Sequence, residues 1–582
     1  VGRTYIALDT EATGLRADAD EIIEIGAVKF RDGQILERWQ SFIRPSQPIP
    51  YKITALTGIS WQDVRKAPAI YVVAPAVLRF VADCPIVGHS IEIDLALLKR
   101  QGVQMRNRAY DTFELATLLL PEVPVYNLAG VATALGLTVP TQHRAVADAE
   151  LAMHVFCALV DRLQELPVEV LAEINRATAT SEWPLRHLFQ EVEREAARTS
   201  FNLPLSGAGS LAGKLAAAGF SQTEFDLGLL HPPEQPPPLE DAAPESLHPI
   251  DIETLVAAMG AGGPVAQTFP AYEIRPQQVD MLRSVARAFN EGGHLMVEAG
   301  TGTGKSLAYL LPAIQFALQN KTRIVVATNT INLQDQLFYK DLPALARVIQ
   351  AWETVPGGNG RVPVGAHAEV RARPRSERKG PPEPKGASDP GREARPPFRA
   401  AVLKGRSNYL CLRRWASFRK QAPPGVDELR TLVKVLIWLP NTHTGDRSEL
   451  LLVNAEPQVW NKITVSVEGC PLHECVYNQK GLCFFHRAKT SAAAAHILVV
   501  NHALLLADIA TGNRVLPPYQ HLIIDEAHHL EDEATDQLGY QVTQNDVGDL
   551  SGQLSRGSSD RYEGFLADLR RQFEVRGPAA PL

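Results

Sequence analysis

The sequence predicts an α/β chain built as two modules, the second interrupted by a cysteine-bearing insertion. Three observations predict it. Residues 4–15 read T-Y-I-A-L-D-T-E-A-T-G-L, an apolar strand that ends in two acids. Residues 298–306 read E-A-G-T-G-T-G-K-S, a glycine-rich turn between a strand expected on the apolar run Leu295, Met296, Val297 and a helix-like run. Far downstream, H-L-I-I-D-E-A-H-H-L-E-D places a second acidic pair at the end of an apolar strand.

Composition sets the bounds. A chain of 582 residues has room for about four units of ordinary domain size. Hydrophobic residues make up 45% and charged ones 21%, enough for packed cores. The net charge of −7 means that a nucleic-acid surface must be a local basic groove. No apolar run approaches the length of a membrane span, no signal peptide is evident, and six cysteines in so long a chain are no secreted disulfide framework. A cytoplasmic protein without a membrane partner is expected. Val1 in place of Met suggests a trimmed start.

In the first module, Asp9 and Glu11 stand two apart and so face one side of a strand. Two further strands are expected over Ile22–Phe30 and Ile35–Ile43, with hairpin spacing. P-I-V-G-H-S-I-E-I-D-L-A-L-L puts Asp94 on a helix after a strand end, and Q-H-R-A-V-A-D-A-E-L-A carries His143 and Asp148. On one helix those two would point about 140° apart, so His143 must lie in the loop or first turn to share a site. Asp9, Glu11, Asp94 and Asp148 supply the hard oxygen donors that Mg²⁺ or Mn²⁺ prefers. Two such ions suit phosphodiester hydrolysis, with His143 as general base. In order and spacing, this set resembles the DEDDh exonucleases over residues 4–160. The resemblance implies an RNase H-like fold over 1–165 and 3′→5′ removal of nucleotides. Ala12 replaces a threonine of that family's first motif. Cys84 and Cys157 read as buried hydrophobes.

Residues 166–249 are expected to hold helical segments of packing or spacing role, then a Pro-rich acidic linker at 231–249. The second module spans 250–350 and 490–535. Its glycines let backbone N–H groups curl around phosphate, Lys305 reaches the β- and γ-phosphates, and Ser306 ligates Mg²⁺. Gly302, Thr303 and Gly304 form the turn; Ala299 replaces the first glycine of the general pattern, as in superfamily 2 helicases, which this loop resembles. Arg275 and Gln278 resemble the adenine-reading motif of helicases. Thr328, Asn329 and Thr330 match a motif that touches single-stranded DNA, and they also suit a helix cap. Asp525 is placed to hold Mg²⁺ through water, Glu526 to activate the attacking water, and His528 to link ATP state to DNA.

Ser306 and Asp525 are separated by far more chain than a nucleotide-binding sheet needs, so something is inserted. Residues 351–400 are Gly/Pro/Arg-rich, with Arg371, Arg373, Arg375, Arg378 and Lys379, and read as disordered. Residues 401–489 carry Cys411, Cys470, Cys475 and Cys483, read as metal ligands. Spacing alone leaves zinc, with His473 and His486 as further candidate ligands, and an iron–sulfur cluster both open. Taken with K-G-R-S-N-Y-L-C, V-V-N-H-A-L-L and D-E-A-H-H-L-E-D, the pattern resembles the DinG/XPD helicases, and the whole chain resembles DinG-type exonuclease–helicases. That resemblance implies a RecA-like domain, a [4Fe–4S] cluster on the four cysteines, ATP, and 5′→3′ movement on single-stranded or tailed DNA. The alternatives are an exonuclease whose second half only binds ATP and DNA, and an RNA-directed exonuclease. Residues 536–582 read as the start of a further arch-like helicase region. Downstream of His528 no Q-x-x-G-R-x-x-R pattern occurs, so a second RecA-like domain is expected to be missing and the chain to be the N-terminal part of a longer protein.

Overall fold

The computed structural model describes residues 2–14, 16, 19–121, 123–140, 143–201, 235–239, 247–269, 272–300, 302–353, 396–420, 425–466, 470–471, 474–539, 542, 544–558, 561–567 and 569–570. The chain divides into two compact units, residues 1–234 with 405–487, and 235–404 with 488–582. The arginine-rich stretch Arg371–Lys379, most of the Pro-rich linker, and His473 lie outside the described residues.

The first unit is organised on a five-stranded mixed sheet in the order β3-β2-β1-β4-β5. β1 (Thr4–Ala12), β2 (Ile22–Arg31) and β3 (Gln34–Phe42) form an antiparallel meander. The β2–β3 turn works because Asp32 and Gly33 both take positive φ, 50° and 75°, as tight hairpins require. β4 (Ile86–Gly88) and β5 (Ala109–Asp111) continue parallel to β1. On one face, Ile6, Leu8, Ile25 and Ala27 pack with Val77, Leu97 and Leu98. On the other lies the 20-residue helix Ala145–Gln164. Its Phe156 stacks on Tyr110 with ring centroids 6.0 Å apart and meets Tyr5 at 5.3 Å. Tyr5, Asp9 and Glu11 share a strand parity, so the two acids face the helix that carries Asp148.

The expected later helices are Val168–Thr178 and Arg186–Phe201. The 405–487 segment contributes the helices Leu412–Lys420, Val426–Trp438 and Glu456–Ile463 to this unit. Cys84 and Cys157 are half-buried rather than fully buried.

The second unit has a four-stranded parallel sheet in the order β7-β8-β6-β9, from β6 (Ile324–Thr328), β7 (Ala400–Val402), β8 (Ile497–Asn501) and β9 (His521–Ile524). The helices Pro276–Glu291 and Lys305–Asn320 pack together beside it, around a core that includes Leu282, Leu310, Ile314, Ile324 and Val499. One expectation is corrected: Leu295–Val297 form no strand, and Met296 is 98% exposed. β9 is the last described strand of the sheet, and no ladder pairs it with 295–297. Three apolar residues without ladder partners for their N–H and C=O groups do not hold an extended form. No described helix is long and apolar enough to cross a membrane.

Candidate functional sites

Asp9 and Glu11 end β1 opposite Gly26 and Glu24 of β2. Asp148 enters from the first turn of the Ala145–Gln164 helix. One oxygen each of Asp9, Glu11 and Asp148 lie within 4.8 Å of one another. Asp94, in the first turn of the helix Ile91–Arg100, is buried, and its Oδ1 accepts from Thr10 N at 2.9 Å and Thr10 Oγ1 at 2.6 Å. It therefore stands at the edge of the trio, fixed on the strand that carries Asp9 and Glu11. His143 lies in the loop before the helix, as the angular argument requires. Its Nδ1 is 3.7 Å from Asp148 Oδ2, and the ring is 59% exposed.

The electrostatics of the cluster favour an opposing positive charge. Burial, then Asp94 and Asp148, hold the Asp9 carboxyl well above the usual range. Burial and then Asp148 push Glu11 up to about 7, and burial takes Asp94 to about 7 despite its bonds from Thr10. Burial also raises Asp148, against the lowering influence of His143. Carboxylates crowded until each resists ionisation need an opposing charge, which hard divalent cations supply through oxygen ligands.

Sequence reasoning missed the base of this site. Glu24 is fully buried. It accepts from Arg144 Nη2 at 2.7 Å, Arg144 Nε at 3.2 Å, Ala145 N at 3.1 Å and Gln40 Nε2 at 2.5 Å. Gly26 completes the seat, because a Cβ there would overlap the Ala145 and Val146 backbone. Glu24 and Gly26 thus set where the helix begins, and with it His143 and Asp148. The signal was present: an acid in the otherwise apolar run I-I-E-I-G-A-V.

In the second unit, Gly302 and Gly304 adopt φ of 81° and 77°, and the helix starts at Lys305. Side chains fix the loop from below. Arg275 Nη1 donates to Gly302 O, and the buried Gln278 donates through Nε2 to Gly304 O at 2.9 Å. A cavity of about 470 Å³ adjoins them, lined among others by Phe269, Tyr272, Arg275, Gln278, Gly304 and Ser306. The two aromatics, six and three residues before Arg275, were not singled out in the sequence. Thr303 Oγ1 donates to Gly300 O at 2.9 Å, turning back into the loop. Asp525 follows β9, and its pKa is raised by burial and then by Glu526. Lys305 Nζ meets Glu526 Oε1 at 2.7 Å, and Glu526 takes the left-handed φ of 53°. His528 is 65% exposed, with Nδ1 3.5 Å from Glu526 Oε2. Thr328 is fully buried, while Thr330 caps the next helix by accepting from Leu333 N at 3.2 Å. Of that trio, Asn329 and Thr330 alone reach the surface.

Cys411, Cys475 and Cys483 each stand immediately before a helix: Leu412–Lys420, Val476–Gln479 and Phe484–Ala494. Burial pushes the Cys411 and Cys483 thiols up, opposed by the N–H groups of Arg414 and Arg413 and of His486. Cys483 feels the charges of Cys411, Cys475 and Cys470, so the four form one neighbourhood. Cys470 is exposed.

Comparison with known proteins agrees with this division. The exonuclease family model RNase_T matches residues 6–156, and the DEAD/DEAH box helicase model matches 276–352. The 3′-5′ exonuclease DinG of Bacillus subtilis is 28% identical over 576 residues, covering 98% of this chain and 54% of that protein. Along nearly all of its length, the chain is similar to that protein. The DinG of Staphylococcus aureus is 24% identical over 576 residues, 98% of this chain and 55% of its own. The chain thus spans about half the length of the curated relatives it matches. Among solved structures, Exonuclease X in complex with 5′ overhanging duplex DNA aligns at 23% identity and a TM-score of 0.24, covering 32% of this chain and 99% of that one.

Proposed function

We propose that this chain combines a divalent-metal-dependent 3′→5′ exonuclease with an ATP-dependent 5′→3′ helicase module acting on single-stranded or tailed DNA. The observation that carries the nuclease half is the carboxylate trio of Asp9, Glu11 and Asp148, raised in pKa by burial and mutual repulsion and closed on one side by Asp94. Two Mg²⁺ or Mn²⁺ ions, when bound by these four residues, would activate a water and steady the leaving oxygen. His143, exposed and beside Asp148, takes the proton from that water as general base. Glu24 and Arg144 hold His143 and Asp148 in register by anchoring the helix start.

In the helicase module, Gly302, Thr303, Gly304 and Lys305 cradle the phosphates of ATP. Ser306 and Asp525 would hold its Mg²⁺, and Glu526 orients the attacking water once Lys305 has turned from it to phosphate. Tyr272 and Phe269 give the adenine a stacking wall beside Arg275 and Gln278. His528, next to Glu526, is placed to report nucleotide state.

Cys411, Cys470, Cys475 and Cys483 would hold a [4Fe–4S] cluster. The likeness of the cysteine pattern to the DinG/XPD helicases favours this over zinc. The four thiols share one neighbourhood. Helix N-termini behind three of them favour thiolate ligands. The six cysteines form no disulfide, which suits a cytoplasmic DNA enzyme.

Paired variants separate the two activities. Lys305→Ala is expected to lose nucleotide binding and keep the nuclease; Asp9→Ala is expected to do the reverse. Shortening of end-labelled DNA and RNA strands in parallel assigns the substrate, and preference for RNA would overturn the DNA reading. Loss of both activities in either variant would overturn the assignment of two separate sites.

A further inference from the structure

The helix Val426–Trp438 is unusual in its covering. Residues 431–438 are all buried, among them Leu432, Val433, Val435, Leu436 and Ile437. Eight consecutive buried residues cover every face of a helix with 3.6 residues per turn. The insertion itself covers one face through the helix Glu456–Ile463, where Lys434 Nζ pairs with the buried Glu456 at 2.7 Å. The same helix also packs on two helices of the nuclease, Thr112–Leu119 and Val168–Thr178. Charge is complementary along this contact. Nuclease residue Glu114 accepts from insertion residue Arg430, and also from Trp183 Nε1 at 2.8 Å. Nuclease residue Glu173 lies 3.7 Å from Arg419.

We propose that the nuclease face formed by Thr112–Leu119 and Val168–Thr178 is a permanent docking surface for the cysteine-bearing insertion. The insertion is then a module of the nuclease, although its chain leaves the NTPase unit after Lys404 and re-enters it at Ala488. The occupant is fixed by the observations: a largely apolar helix, packed on its own segment and on the nuclease alike, bearing cations where the nuclease presents carboxylates. The docked helix also lies one step from the chemistry. Helix Thr112–Leu119 begins at Asp111, whose Oδ1 accepts from Ser90 N at 2.9 Å, and Ser90 precedes the helix that carries Asp94. Movement of the insertion would therefore be felt at Asp94. The proposal rests on packing and charge, and holds whichever reaction the carboxylates perform.

Two experiments on the full chain test it. In the first, Arg430→Lys keeps the charge and makes the site open to a zero-length carbodiimide. Mass spectrometry is expected to find position 430 joined to Glu114; absence of that cross-link in the folded variant would overturn the docking. The second reads amide hydrogen exchange. Glu114→Arg is expected to speed exchange in residues 431–437 by about tenfold or more, as local opening becomes easier, and the swap Glu114→Arg with Arg430→Glu to restore protection. Unchanged exchange in Glu114→Arg, or a swap no better protected than the single variant, would overturn the proposal. Should Glu114→Arg fail to fold, the cross-link alone decides.

Discussion

Glu11→Gln is expected to stabilise the metal-free nuclease unit while destroying its ability to bind divalent metal. Gln keeps the shape of the side chain and removes its charge. The Glu11 carboxyl rises from 4.5 to about 7, chiefly through burial and the Asp148 charge. At about 1.4 kcal/mol per pH unit this is about 3 kcal/mol of resisted ionisation, which solvent at a part-exposed carboxylate reduces to about 1–2 kcal/mol. The sign depends on pH. A folded-state pKa above the unfolded value means that the folded chain holds the proton more tightly, so stability falls as pH rises from about 4.5 to 7. At pH 8 the native residue is ionised and nearly the whole penalty is present; at pH 5 only about a quarter of it is. Calorimetry without divalent metal should therefore show the variant's nuclease transition several degrees higher at pH 8 and only slightly higher at pH 5. That transition is recognised in the wild type as the one raised by Mg²⁺ or Mn²⁺, and in the variant it should no longer respond. Equal stabilisation at both pH values, or none at pH 8, would refute the crowded-carboxylate argument.

Other outcomes follow from the same geometry. Glu24→Gln removes the buried charge that pairs with the part-exposed Arg144 and is expected to cost about 1–3 kcal/mol, with nuclease kcat falling further than KM changes, read by denaturant unfolding and steady-state assays. Gly26→Ala should overpack the start of the Ala145–Gln164 helix, costing about 1–3 kcal/mol and lowering the nuclease rate; unchanged values would show that the seat is loose. Tyr272→Ala should weaken ATP binding about five- to tenfold, the equivalent of about 1 kcal/mol of stacking, read by calorimetric titration. Cys411→Ser should lower iron and acid-labile sulfide content in anaerobically purified protein, and a zinc-only wild type would return the site to zinc.

The gathering of the carboxylates was legible because they sit on regular elements. Strand parity placed Asp9 and Glu11 on one face, and helix geometry put His143 in the loop ahead of Asp148. Glu24 was hidden for a different reason. Its partners Arg144 and Ala145 are some 120 positions away, and only folding of β2 against the helix start brings them together. The phosphate loop was legible from its glycines, yet the strand ahead of it did not form, because apolar character cannot supply the neighbouring strand that a ladder needs. Tyr272 and Phe269 acquire meaning only when Arg275 and Gln278 bend back onto the loop carbonyls. Packing of the insertion on the nuclease was illegible in principle, since no periodicity in Val426–Trp438 names the surface it packs on.

The most direct test of the nuclease assignment is metal add-back. The chain is stripped with chelator, freed of nucleotide and given a single-stranded DNA labelled at its 5′ end. Adding Mg²⁺ or Mn²⁺ is expected to start stepwise shortening from the 3′ end in the wild type at pH 8. At limiting metal the rate should fall as pH drops, because protons on Glu11 and Asp94 compete with the cation, and Asp9→Ala should show no shortening. Degradation without divalent metal, or equal rates in Asp9→Ala and wild type, would contradict the account.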